Sequence, residues 1–110
     1  MMIELWQTEW CPASRRVRQR LTELGVDYVA RQVPVEREDR TRLRKRTGAD
    51  TVPVLVPEHD APFVGEDAIN AWLDAHVPVP SEADAHRSKA EKAQHRYLQE
   101  KCECPLPPTP

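Results

Sequence analysis

The chain has 110 residues, enough for one compact domain around a single hydrophobic core, with any further segment an appendage to it. Lys and Arg number 16 against 18 Asp and Glu, and the formal net charge of −2 carries neither an electrostatic footprint for nucleic acid nor a polybasic membrane anchor. Three cysteines, two of them in Cys102-Glu103-Cys104, do not make a secreted disulfide framework, and Met1 to Trp6 lacks both a basic leader and a long apolar run, so a soluble cytoplasmic chain is expected.

Residues 3–7 form a short apolar run that predicts a strand, and Thr8-Glu9-Trp10-Cys11 leads from it into Pro12. Proline suits the first helical position because its missing N–H has no intrahelical partner there, which puts Cys11 at the helix N-cap. Ala13, Val17, Leu21 and Leu24 share one face of that helix, Arg15, Arg16, Arg18 and Arg20 lie largely on others, and Gly25 is placed to close it. A second strand is predicted over residues 27–33. The charged stretch 36–46, with Leu43 almost its only apolar residue, reads as one exposed helix ending near Gly48. The run 52–56 and the stretch 61–64, separated by His59-Asp60, predict a hairpin that Gly65 ends. From Glu66 the helical spacing returns through Ala68, Ile69, Trp72, Leu73 and His76, until Pro78 and Pro80 stop it.

After Pro78 and Pro80, Ser81-Glu82-Ala83-Asp84 reads as a capping box, and the chain continues as a polar, Ala-rich helical stretch to about Lys101 before a Pro-rich run. The expectation is an α/β domain over 1–77, ordered β-α-β-α-β-β-α, with a polar helical C-terminal extension over 78–110. The right-handed crossover preference makes the first two strands a parallel pair, extended by an antiparallel hairpin.

Chemistry concentrates at Cys11. The thiolate is the nucleophilic form of cysteine, and a helix N-terminus stabilises it through unpaired N–H groups and the positive end of the helix dipole. Ser14, three residues on, is placed to donate its hydroxyl to the sulfur, and Arg15 and Arg16 add positive potential. Against this stands the plain alternative of a small buried cysteine at a strand-to-helix junction.

Three segments in order, Trp10-Cys11-Pro12-Ala13-Ser14, Thr51-Val52-Pro53 and Val64-Gly65-Glu66-Asp67, make residues 3 to 77 resemble glutaredoxins and the glutathione-binding N-terminal domain of glutathione transferases. The resemblance implies a thioredoxin-like, glutaredoxin-type four-stranded mixed sheet flanked by helices, and a cis peptide bond before Pro53. It implies Cys11 as nucleophile with Ser14 as its stabiliser. Trp10, Pro12, Val52, Pro53, Glu66 and Asp67 would hold glutathione or another low-molecular-weight thiol as co-substrate: the Val52 backbone pairs with its cysteinyl part, and the last helix with Glu66 or Asp67 takes its zwitterionic γ-glutamyl end. Partners would be glutathionylated or similarly thiolated proteins, with no metal, nucleic acid or membrane involved.

Departures from the family pattern sharpen this expectation. Ser14 stands where dithiol glutaredoxins carry a second cysteine, so the chain resembles monothiol forms. The pair Pro12-Ala13 replaces the Gly-Phe usual in cluster-carrying forms. A lysine often precedes the active cysteine to bind the glycine carboxylate; here the stretch is Gln7-Thr8-Glu9, and Arg37, Arg40 or Arg44 are the substitutes. Residues 77–110 are too few and too polar for the second domain of a complete transferase, so conventional transferase activity is not expected. Two other readings stay open: a non-catalytic adaptor module on the same surface, and a similarity of Cys11 to Arg15 to arsenate reductases. In the extension, Cys102 and Cys104 are candidate resolving thiols or, with His95, a partial metal site, set against a solvated helix and a Pro-rich end; His59, His76 and His86 are assigned no role.

Overall fold

The computed structural model describes residues 2–99 and divides into two compact units, Met1–Pro80 and Ser81–Pro110. In the first, the elements run β1 (Glu4–Gln7), α1 (Pro12–Glu23), β2 (Val29–Gln32), α2 (Thr41–Thr47), β3 (Val54–Val56), β4 (Phe63–Val64) and α3 (Glu66–His76). The four strands form one mixed sheet in the order β2-β1-β3-β4, with β1 and β2 parallel and the other two pairings antiparallel. This is the expected α/β thioredoxin-like arrangement. The second unit contains α4 (Ala83–Gln99), whose first turn carries an Asp84–Arg87 ion pair at 3.7 Å. Cys102, Cys104 and the Pro-rich run lie outside the described residues.

Strand alternation sorts the core into two layers. Leu5 and Leu55 sit fully buried on one side with Val17 and Leu21 of α1 and Ile69 and Leu73 of α3. Trp6, Val54 and Val56 face the other side, where Leu43 is the only buried residue of α2. Helices therefore cover both faces of the sheet.

Helix α1 stops as its sequence directs. Gly25 takes a φ of +69°, open to a residue without Cβ, its N–H donates to the Thr22 carbonyl at 3.1 Å, and the Val26 N–H donates to Leu21 at 2.9 Å. These two bonds are a Schellman closure, and Val26 packs against the core beside them.

The charged stretch departs from the expected single helix. A 3-10 turn covers Arg37–Asp39 and α2 begins only at Thr41, with Arg40 between them at φ −85° and ψ 45°. The Arg40 guanidinium donates to the carbonyls of Pro34, Val35 and Asp50 at 2.8 to 3.0 Å. Those loop carbonyls have no ladder partner, and satisfying them favours a break over a continuous helix. The strands are also shorter than expected. β3 starts after Pro53, because a proline has no N–H to give the ladder.

Candidate functional site

Strand register brings the three distinctive segments to one end of the sheet. Trp6 pairs with Val54, and Val54 with Val64. The chain leaving β1 toward Cys11, the chain entering β3 through Pro53, and the chain leaving β4 into Gly65 therefore share that end. Gly65 closes the junction: at φ +91° its N–H donates to the carbonyl of cis-Pro53 at 2.9 Å, and Glu66 then opens α3. The Val52–Pro53 bond is cis. Among the described residues no main-chain group pairs with the Val52 N–H or C=O, which leaves both groups open beside a buried proline.

Cys11 is the N-cap of α1, in extended conformation with Pro12 next, and its Sγ accepts the Ser14 N–H at 3.4 Å. The sulfur thus replaces the oxygen of an ordinary capping side chain, and the N–H that caps the helix also stabilises the anion. Burial pushes the Cys11 thiol up, but the Ser14 side chain, the Ser14 and Ala13 N–H groups and the Arg16 charge outweigh it, so its pKa lies below the ordinary thiol value. Ser14 Oγ is fully buried and makes no hydrogen bond of its own in this geometry. Its proton is free to turn toward the thiolate when that forms.

Two ion-pair networks flank the sulfur, and neither is visible in local sequence. Arg16 grips both carboxylate oxygens of Glu66, Nε to Oε2 at 2.6 Å and Nη2 to Oε1 at 3.0 Å. Arg16 holds the Glu66 carboxyl below its ordinary pKa. On the other side, Arg18 of α1 donates to Gln7 Oε1 and to the Thr8 carbonyl, and lies 3.6 Å from Glu9. The stretch without a lysine thus receives a cation from the helix that follows it. The only signal for this was the excess of arginine on α1.

Of the three arginines considered for a carboxylate, Arg40 and Arg44 spend their guanidinium groups on backbone carbonyls, Arg44 on those of Arg37 and Glu38. Arg37 has no side-chain partner among the described residues. Asp67 is exposed at the start of α3. Trp10 and Pro12 line an open groove of about 480 Å³ with Glu9, Cys11, Arg15 and Arg16. Among the described residues no group of His, Cys, Asp and Glu is arranged to hold a metal ion, and no helix is long and apolar enough to cross a membrane.

The chain is similar to known proteins in sequence and fold. The glutaredoxin family model matches residues 3–59. A glutaredoxin of Pseudomonas aeruginosa is 28% identical over 75 residues, which cover 68% of this chain and 81% of that protein. A glutathione S-transferase from Sinorhizobium meliloti superposes with a TM-score of 0.62 at 28% identity, over 70% of this chain. The match spans only 33% of the transferase, so this chain corresponds to about a third of its length. A wheat glutaredoxin shares the fold, with a TM-score of 0.56 at 24% identity, over 74% of this chain and 79% of its own. From the N-capping thiol, the cis-proline loop and the match over more than half its length, the chain belongs to the glutaredoxin family.

Proposed function

We propose that the protein is a monothiol oxidoreductase that removes glutathione, or a similar low-molecular-weight thiol, from mixed disulfides on proteins of the cytoplasm. The observation that carries this reading is Cys11 as the cap of α1, its sulfur accepting an N–H and its thiol acidified, with Ser14 where a second cysteine would stand.

The reaction follows from one thiolate. Cys11 Sγ attacks the glutathione sulfur of a protein–glutathione disulfide; the S–S bond breaks, and the protein departs as its thiolate and takes a proton from water. The new Cys11–glutathione disulfide is attacked by a second glutathione thiolate, which regenerates Cys11 and forms glutathione disulfide. Overall one glutathione thiolate is consumed, one protein thiolate is released and one disulfide is exchanged for another, so the electrons balance without a metal or a second protein cysteine.

Each part of the tripeptide has a complementary group. The unpaired Val52 N–H and C=O match the backbone of its cysteinyl residue, with Pro53 beside it. The N–H groups at the start of α3 suit the γ-glutamyl carboxylate, and Glu66 or Asp67 its ammonium. Arg37, whose guanidinium has no side-chain partner among the described residues, is the cation we assign to the glycine carboxylate. Mass spectrometry after exposure to glutathione disulfide tests the reading: one adduct on Cys11, absent from Cys11→Ser, with turnover of a glutathionylated protein, is expected. An unacidified thiol that forms no adduct overturns it in favour of a non-catalytic adaptor.

A further inference from the structure

With glutathione assigned to the cis-proline loop and α3, on which this inference rests, the groove along α1 is left for the other half of the disulfide, and Trp10 and Pro12, first expected to hold glutathione, belong to it instead. It is lined by Glu9, Trp10, Pro12, Arg15 and Arg16 around Cys11 and contains no residue of the loop or of α3. Two of its features are not required by the fold. Trp10 is 82% exposed, directly before the nucleophile, although nothing in the core needs it there. A covered tryptophan contributes more contact than any other side chain and is enriched at the centres of protein interfaces.

Charge in the groove is the second feature. Arg16 is engaged by Glu66, and Glu9 by Arg18 and Gln7. Arg15 is exposed and, among the described residues, its guanidinium has no hydrogen-bond or ion-pair partner. The uncompensated charge of the groove is therefore positive and lies four residues along α1 from the sulfur.

We propose that this groove docks the protein half of the mixed disulfide and selects segments in which the thiolated cysteine is flanked by an acidic residue, which meets Arg15, and by an apolar side chain, which covers Trp10. A basic neighbour is repelled at the same place. Between exposed charges such complementarity acts mainly on encounter and register, and salt weakens it.

Two glutathionylated peptides, identical except for Glu or Lys beside the cysteine, are compared on the full chain at low ionic strength. The mixed disulfide of glutathione with 2-mercaptoethanol serves as a substrate without a flanking segment. The expected result is a several-fold higher kcat/KM for the acidic peptide, a ratio that falls toward one with added salt and inverts in Arg15→Glu. The ratio is the readout because any change in the thiolate itself affects both peptides alike. Trp10→Ala is expected to lower kcat/KM for both peptides more than for the small disulfide. Equal rates on the two peptides, or an unchanged ratio in Arg15→Glu, overturn the docking proposal while turnover of the small disulfide continues. No turnover of the small disulfide overturns the glutathione reading, and this proposal with it.

Discussion

Arg16 and Glu66 are joined by two hydrogen bonds, at 2.6 and 3.0 Å, across 50 residues of sequence, and so tie the second turn of α1 to the first residue of α3. The same guanidinium supplies the positive charge that favours the Cys11 thiolate. Glu66 therefore shares its cation with the Cys11 sulfur. Arg16→Gln is expected to raise the Cys11 pKa, and Glu66→Gln to lower it, because the second change removes a competing anion and leaves Arg16 free. Glutathione affinity is expected to fall in Glu66→Gln even as the thiol becomes more acidic. The pH dependence of Cys11 alkylation, beside a binding titration with S-methylglutathione, checks both; equal pKa values in all three proteins would show that the pair is electrostatically silent.

Ser14 separates chemistry from stability. Its hydroxyl is buried without a hydrogen bond, so Ser14→Ala removes a polar atom whose burial is uncompensated, and stability is expected to hold or rise by up to about 1 kcal/mol. The Cys11 pKa is expected to rise, and with it the pH at which alkylation reaches half its maximal rate. Because the folded thiol is the more acidic one, the Cys11 contribution to stability is present above the unfolded pKa of about 8.5 and is lost as pH falls through the folded value. Against Cys11→Ser in denaturant titrations, the wild-type chain is expected to gain stability with rising pH across that window and then level off.

Much of this architecture was legible because single residues marked its boundaries. Pro12 marks the start of α1 and Gly25 its end, and Cys11, Pro53 and Glu66 mark the three loops that strand register then brings to one end of the sheet. Misreadings fell where a side chain acts at a distance. A run of charge with one leucine looks like a continuous helix, yet Arg40 reaches carbonyls at Pro34 and Asp50 and breaks it. The Arg16–Glu66 and Arg18–Gln7 contacts escaped for the same reason: periodicity reports which face a residue occupies, not which partner the tertiary fold carries to it.

Arg40 gives a mutational measure of that reach. Arg40→Ala leaves three loop carbonyls without a protein donor, one of them at Asp50, just ahead of the cis-proline loop. Water replaces part of the loss, since the site is only half-buried, and the expected cost is about 1–3 kcal/mol in a denaturant titration. Lysine should not restore the wild-type value, because one ammonium cannot span the three carbonyls that a planar guanidinium reaches. If the loop also positions the Val52 N–H and C=O, KM for the glutathionylated substrate rises in Arg40→Ala while the Cys11 pKa stays put. A variant as stable as the wild type would mean that solvent serves those carbonyls equally well.

Glu4 supplies the acid limit of the fold. Its side chain, only 14% exposed, receives two hydrogen bonds from Arg31, at 2.8 and 3.0 Å, and lies 3.5 Å from Arg46. Burial by itself raises its pKa, and the groups around it, Arg31 foremost with Trp6 and Arg46 behind it, more than reverse that, so the folded carboxyl is more acidic than the unfolded one. A group with a depressed folded pKa stabilises the protein above its unfolded pKa of about 4.3, and that contribution drains away as pH falls through the folded value. Glu4→Gln is therefore expected to cost about 1.5–3 kcal/mol at neutral pH, where Arg31 loses a charged acceptor between β1 and β2. Below the folded pKa the wild-type carboxyl is neutral as well, and the two stability curves should converge. Urea titrations of both proteins from pH 7 down to the acid limit measure this directly; a gap that persists undiminished in acid would assign the loss to packing around Trp6 rather than to the charge of Glu4.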